Sequence, residues 1–598
     1  MQSLKKIRSL LVSTVLFTGM LASPVSAQKL SFDDMSAFKK PSENWQIVGN
    51  VQGALQQQLN LSAVSGTGVL ANLPIHDKAG ANKDIYTIGE YGDADVEFDF
   101  MMAAGSNSGV YLQGRYEIQL LDSWGKQNPS AGDCGGIYER WDDKKPDGSK
   151  GYQGYAPRVN ASKAPGLWQH MKISFQAPRF DAKGNKTGNA RIREIILNGI
   201  AIHENVELTG PTRGAMSDKE AAKGPIRIQG DHGPIAFRNF EIKSYDAPKP
   251  EFVDLKYSYA AQDIRDAEGL RSLKIEETGK ATEISTSYSP VPVGYVLKFE
   301  GKLKVAQAGK YKLNGIFNGG YGQLKLNNTI ILPWTWWGKN GEIELPAGET
   351  PFELIYARPE TGNYTSMGLY IEGPGVRQTA LHSMKSIASP NHPSNPILLP
   401  EVNEPVVHRS FIDFAGKRIS HGASVGTPQK VHYSIDLETG AVIRVWRGHF
   451  LNVTPMWNDR GNGISLPLGS VQDLSNTAPI RKTGDKVAEN YRFKGYSHDA
   501  ANRPVFNYEF NNQLFEDQIA PDAESKYLIR TIKTAGQAPF EAFLAEGNEI
   551  TGISDGLYLI DGRYYIRISE GKSALVSQGG KVQLVAVASQ QLTYSIIW

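Results

Sequence analysis

The stretch Asn107-Ser-Gly-Val-Tyr-Leu-Gln-Gly-Arg-Tyr-Glu-Ile-Gln-Leu-Leu-Asp-Ser-Trp124 decides how the chain is read. Its apolar residues recur with a period of two. Tyr116, Ile118 and Leu120 therefore share one strand face, which places Glu117 and Gln119 together on the other. Asp122 has the wrong parity for that second face. A β-bulge after Gln119 would bring it round, and bulges often redirect a side chain beside an active site. Glu117 and Asp122 would then be two carboxyls on one sheet face, the residue types of an acid/base pair. A bare strand could equally carry them as solvated residues. Arg115 adjoins them, however, and Tyr111, Trp124, Tyr138 and Trp141 surround them in sequence. A second polar cluster, Gln229-Gly-Asp231-His232-Gly through Arg238-Asn239, closes the same region.

The alternation extends outward in both directions. In Asp95-Val-Glu-Phe-Asp-Phe100, Val96, Phe98 and Phe100 alternate with acids, as a strand with one face in a core requires. Asn198-Gly199, Asn327-Asn328 and Asp561-Gly562 each separate two apolar runs. Their residues tolerate the positive φ of two-residue hairpins. The chain is thus expected to be all-β, with Ala260–Leu273 and Ser217–Lys223 as the best helix candidates. Asp246-Ala-Pro-Lys-Pro-Glu251 and the proline-rich stretch 381–405 read as breaks. They divide the sequence into modules at 28–245, 252–380 and 406–598.

Residues 1–27 read as a cleaved export signal. Lys5, Lys6 and Arg8 precede a 13-residue apolar run, Leu10–Ala22, and Val25-Ser26-Ala27 supplies the small residues of a cleavage site. The run is too short to anchor in a bilayer, and no later stretch could span one, so a secreted or periplasmic protein with no membrane span is expected. With 64 basic and 62 acidic residues the charge is too balanced for nucleic-acid binding. Cys134 is the only cysteine, which excludes an intramolecular disulfide and a thiolate metal cluster and makes it a packing residue.

Two resemblances follow from these residues. The i, i+2, i+5 spacing of Glu117, Gln119 and Asp122 is similar to the carboxylate strand of laminarinase-like glucanases, with Gln in place of their central Asp. More extensively, residues 30–245 resemble the 3-keto-disaccharide hydrolase family. The matching pieces are Asn107-Ser-Gly-Val-Tyr111, Tyr116-Glu-Ile-Gln-Leu-Leu-Asp122, Gly136-Ile-Tyr138, Gly166-Leu-Trp168, Leu197-Asn-Gly199, Gly224-Pro-Ile226, Asp231-His-Gly233 and Phe237-Arg-Asn239, all in family order. That resemblance implies a concanavalin-like jelly-roll sandwich and a sugar substrate oxidised at carbon 3. The inserts Arg140–Arg158 and Gln176–Asn189 depart from the family pattern, the first as a rim and the second as an enlarged hairpin.

The middle module resembles a protective-antigen-type β-barrel of the kind attached to sugar-active enzymes. Gly319-Gly320 stands where that fold's acidic calcium pair would be, and Trp334, Trp336 and Trp337 form a cluster suited either to sugar stacking or to a core. The third module is similar to a β-rich module of exported bacterial proteins, and a supersandwich fits its strands. His421, His432 and His449 have no recognised ligand spacing, so a structural or docking role is expected there.

A 3-keto group acidifies the hydrogen on carbon 2, so cleavage calls for a base, an enolate donor and an acid for the leaving oxygen. His232 or Glu117 is the candidate base, Arg115 or Arg238 the donor, and Asp122 the acid or a metal ligand. Tyr111, Gln119, Trp124 and Tyr138 are candidate substrate contacts. No cofactor is required by the sequence, and a divalent metal is compatible with it. No dinucleotide fingerprint is present, so a separate sugar 3-dehydrogenase is expected to make the substrate. Two other readings stay open: a non-catalytic carbohydrate-binding or docking protein, and an ordinary glycosidase using Glu117 and Asp122.

Overall fold

The computed structural model describes residues 28–75, 80–360, 366–387, 395–400, 403–458, 461–481, 491–536 and 538–598. The expected export signal lies outside them. The protein is predominantly β-strand, and Thr454–Asn458 is the α-helix among the described residues. It divides into two compact units, Ala247–Ser389 and Ala27–Asp246 together with Pro390–Trp598.

In the second unit, residues 28–245 build two antiparallel sheets. One has eight strands, in the order Ile200–Leu208, Ala190–Leu197, Trp168–Gln176, Ala94–Met102, Ile235–Ser244, Leu61–Asn72, Trp45–Gly53, with Gln28–Lys29 pairing Ile235–Ser244. The other has four: Ile85–Tyr91, Gly224–Ile228, Asn107–Leu112 and Tyr116–Leu121. Period-two patterning makes them face each other. Val96, Phe98, Phe100, Met171 and Phe237 of the long sheet pack in one core with Val110, Tyr116, Ile118, Leu120 and Ile226 of the short one. Cys134 is buried in this core, and burial pushes its thiol up to about 12. The insert 140–158 carries a two-stranded ladder, Arg140–Trp141 with Gly151–Tyr152. A further ladder, Arg179–Phe180 with Lys186–Gly188, extends the hairpin at 176–189.

The C-terminal segment packs its strands into sheets of six, four and eight and a two-stranded ladder. A core running from Ala423 to Trp598 joins the three larger sheets. Inside it Arg530 donates to both oxygens of Asp517 at 3.0 and 2.6 Å, a fully buried ion pair. His432 is a core residue: its Nδ1 accepts from the Thr427 amide and its Nε2 lies 2.9 Å from the Gly448 carbonyl.

The unit at 247–389 is one eight-stranded sheet. The long strand Gly309–Leu326 pairs with Thr329–Leu345 along its length, with Gly348–Arg358 at one end and with Gly368–Gly373 at the other. The strand path has two ends, Glu277–Lys280 and Val376–Ala380. Leu381 and Ser386 still bond to this sheet (Leu381 N to Leu369 O, 2.8 Å; Met367 N to Ser386 O, 2.9 Å), so the linker begins later than 381. Trp334 stacks on Tyr321 at 5.6 Å, while Trp337 is 61% exposed.

All three hairpin readings meet positive φ at the turn residues: 49° and 86° at Asn198-Gly199, 49° and 62° at Asn327-Asn328, 48° and 65° at Asp561-Gly562. Neither helix forms. Ala260 ends a strand, and only Gly269–Ser272 makes a 3-10 turn. Around it, Asp266 accepts from the Gly269 amide, and the Gln262 side chain takes the Lys274 amide and the Ser272 carbonyl. Such local bonds compete with a helix of marginal length. At 217–223 the carbonyls of Lys219 and Ala222 accept instead from Arg115 and Gln113.

Candidate functional site

The strand Tyr116–Leu121 pairs residue for residue with Asn107–Leu112, and the register runs unbroken from Leu112↔Tyr116 to Asn107↔Leu121. The expected bulge after Gln119 is absent. The pairing needs none, because the strand ends at Leu121 and the chain turns at Asp122. One Asp122 oxygen accepts from the Gly105 amide at 2.8 Å and the other from the Trp124 amide at 3.3 Å. Asp122 therefore fastens a turn. It lies in the turn beyond the end of the strand that carries Glu117.

On the face of the short sheet away from the core, opposite residues form a single row across all four strands. Tyr86 faces Arg227, Arg227 faces Tyr111, and Tyr111 faces Glu117. The Arg227 guanidinium lies 4.2 Å from the Tyr111 ring centroid, and its Nε donates to Asp84 at 2.6 Å. The next row begins at Gly109, opposite Gln119. A Cβ built on Gly109 would collide with the Glu117 carboxylate, so this glycine is the cradle in which that carboxylate rests. Gln119 donates to the Asn107 side chain at 2.6 Å.

Glu117 is 3% exposed. The loop at 209–217 covers it: Thr212 Oγ1 accepts from the Glu117 amide and donates to the Arg115 carbonyl, both at 3.0 Å, and Arg227 donates to the Gly214 carbonyl. On the other side the Tyr138 amide donates to the Glu117 carbonyl at 3.1 Å. Burial pushes the Glu117 carboxyl up to about 7, against the opposing hydrogen bond from Tyr111 and the charge of Arg227. Asp84 and Asp231 add to the rise. Burial, reinforced by Glu117, also raises the Tyr111 hydroxyl far above the usual phenol range, so it stays a donor. A buried carboxyl poised near neutrality beside a fixed donor and a cation is suited to general-base work.

Asp231 and His232 project from an anchored loop. Buried Asn72 donates to the carbonyls of Gly230 and Gly233 at 3.0 and 2.7 Å, Asp84 accepts from the Gly230 amide at 3.0 Å, and the Asn107 amide donates to the His232 carbonyl at 3.3 Å. Their side chains are half-exposed and bonded to each other through His232 Nδ1. At the opposite rim, Arg213 lies 3.8 Å from the Trp141 ring centroid, where the 140–158 insert meets the covering loop.

Glu117, Gln119, Tyr111, Tyr138 and the Asp231-His232 loop thus gather on one face. Asp122 holds the turn beyond the strand, and three other expected residues are engaged elsewhere. Arg115 is buried and spends its guanidinium on the carbonyls of Lys219 and Gln113, at 2.8 and 2.7 Å. Arg238 sits on the outer face of the eight-stranded sheet, bonded to Asp99 and over Trp168, because its neighbours Phe237 and Phe240 claim the core. Trp124 faces the C-terminal segment, donating to the Trp598 carbonyl at 2.9 Å and stacking on Tyr527. The sequence reading missed Arg227, Asp84 and Tyr86. The signal was present as parity: Arg227, Gln229 and Asp231 alternate through Gly224–Asp231, as Asp84 and Tyr86 do at the start of the Ile85–Tyr91 strand. Among the described residues no group of three or more His, Cys, Asp and Glu could hold a metal ion, and no helix is long and apolar enough to cross a membrane.

Residues 32–243 match the model of a family described as the 3-keto-alpha-glucoside-1,2-lyase-like domain. Two crystal structures from Parabacteroides distasonis, each by name only a glycosyl hydrolase, are similar to the chain. One is 20% identical, covering 40% of this chain and 100% of that chain at a TM-score of 0.24. The other is 22% identical, covering 37% and 99% at a TM-score of 0.24. No curated protein matches.

Proposed function

We propose that the protein is an exported carbohydrate-active enzyme that cleaves 3-keto-glycosides on the outward face of the short sheet. The observation that carries this reading is the Tyr86–Arg227–Tyr111–Glu117 row, with its carboxyl held up to about 7, inside the segment that matches the lyase-like family model. Glu117 takes the hydrogen from carbon 2, and the electron pair moves onto the carbon 3 oxygen as an enolate. Tyr111 and Arg227 supply the donor and positive charge that stabilise it. The enolate collapses and breaks the bond from carbon 1 to the glycosidic oxygen, which takes its proton from the Asp231-His232 pair. Water then adds at carbon 1 and a proton returns to carbon 2, for net hydrolysis.

The sandwich at 28–245 is the catalytic domain in this scheme, residues 1–27 are its export signal, and 406–598 is a docking or structural module. The test is incubation of the full chain with a disaccharide and with its 3-keto form, with and without chelator. Cleavage of the oxidised sugar alone, lost in Glu117→Gln, is expected. Cleavage of both sugars would support an ordinary glycosidase, and binding without turnover a lectin-like role.

A further inference from the structure

Asp84 stands one residue before the Ile85–Tyr91 strand, its side chain 15% exposed, and no step of the proposed chemistry uses it. One of its oxygens accepts from Arg227 Nε at 2.6 Å and lies 2.5 Å from Arg227 Nη2, while the other accepts from the Gly230 amide at 3.0 Å. We infer that Asp84 is a positioning residue: one carboxylate sets the Arg227 guanidinium beside Tyr111 and Glu117 and also ties down the loop that carries Asp231 and His232. The inference rests on the proposed role of the Glu117 face.

The carboxylate is itself anchored by buried amides. Asn44 and Asn72 are fully buried. Asn44 Nδ2 donates to the Asn72 side chain at 2.7 Å and to the Lys83 carbonyl at 3.1 Å, and Asn44 Oδ1 accepts from the Lys83 amide at 3.3 Å. Trp45 Nε1 donates to the same Lys83 carbonyl at 2.7 Å. Both backbone polar groups of Lys83 are thus fixed, and Asp84 is presented from a rigid support. Across the gap, a Cβ built on Gly230 would lie 2.3 Å from the Lys83 carbonyl oxygen, so the absence of a side chain lets this backbone approach Asp84.

A guanidinium offers its donors in a fixed planar fork, so engaging several of them sets the whole plane. Arg227 meets Asp84 through Nε and Nη2 and donates to the Gly214 carbonyl through Nη1. Its Cζ is thereby held 4.2 Å from the Tyr111 ring centroid. Asp84 has both oxygens committed to donors, which suits it to hold position rather than to carry a proton. Its charge also acts on the row. Tyr111, Arg227, Asp84 and Asp231 act on the Glu117 carboxyl; Asp84 opposes its ionisation and Arg227 favours it. Loss of Asp84 therefore moves Glu117 in the direction opposite to loss of Arg227.

The test combines steady-state kinetics of the full chain on a 3-keto-disaccharide with carbon-13 NMR of its glutamate carboxyls, the Glu117 signal being the one absent in Glu117→Gln. In Asp84→Asn, kcat should fall about a hundredfold, the cost of ~1 Å of misplacement, with KM within about threefold of native. The pH limb of kcat/KM and the NMR midpoint of Glu117 should both move to lower pH, by about half a unit or more. Asp84→Glu keeps the charge and should return both to their native pH, with kcat still about tenfold below native because the longer side chain shifts the guanidinium. A residue that only stabilised the fold would lower Tm and leave limb and midpoint in place. That result in Asp84→Asn, or native kcat in Asp84→Glu should the first variant fail to fold, would overturn the inference. A native chain that turns over no 3-keto sugar, with a Glu117 midpoint that still moves in Asp84→Asn, would overturn the proposed reaction and leave the hold of Asp84 on this face supported.

Discussion

Replacing Glu117 by Gln removes a charge while keeping size and an oxygen that accepts from Tyr111. The folded carboxyl titrates near 7 against a usual 4.5, so the folded state holds more protons than the unfolded state between those values. Stability contributed by the protonated form is complete below pH 4.5 and is lost as pH rises to 7, because unfolding then releases a proton. Above pH 7 the ionised carboxylate costs the folded state about 3 kcal/mol, from ~1.36 kcal/mol per pH unit. The amide escapes that cost. At pH 8 Glu117→Gln should therefore be more stable than the native protein, and at pH 4.5 close to equal. For a unit of about 430 residues, with unfolding entropy of ~2.1 cal/mol/K per residue, the gain at pH 8 is a rise of about 3 °C in Tm. Scanning calorimetry of both proteins at the two pH values measures it. An equal difference at both, or a loss at pH 8, would refute the buried, desolvated carboxyl.

The same carboxyl should govern turnover: kcat/KM for a 3-keto-disaccharide should rise along a limb centred near pH 7. Arg227→Met removes a charge that favours ionised Glu117, so the limb should move to higher pH in a rate profile. Trp124→Ala should lower the stability of its unit by about 2–3 kcal/mol through lost stacking on Tyr527 and the lost bond to Trp598, with KM unchanged, in urea unfolding and steady-state assays. Asp517→Asn leaves the Arg530 guanidinium without its counter-ion and should cost about 3–5 kcal/mol in the same unfolding assay.

The strands of the first module were readable because each needs one face in a core, so parity alone places Phe98 and Phe100 inside and Glu117 and Gln119 outside. Hairpin turns were readable because Asn and Gly are the residues that accept their φ. What parity cannot report is which strands become neighbours. Arg227 and Tyr111 are 116 residues apart, and only strand pairing sets them side by side. Local spacing favoured Arg115, which is near Glu117 in sequence but occupied by carbonyls. Arg238 was assigned by motif proximity to His232, whereas the core's claim on Phe237 and Phe240 turns it to the opposite surface. For Asp122 a bulge was expected after Gln119, whereas the ladder runs without a register shift to Leu121 and the chain turns at Asp122.

Deuterium incorporation at carbon 2 tests the central claim most directly. Cleavage of a 3-keto-disaccharide in D2O, followed by proton NMR of the released sugar, should show one deuterium at carbon 2 with the native protein and neither cleavage nor exchange with Glu117→Gln. Cleavage with the carbon 2 hydrogen retained, or exchange that persists in Glu117→Gln, would contradict Glu117 as the base.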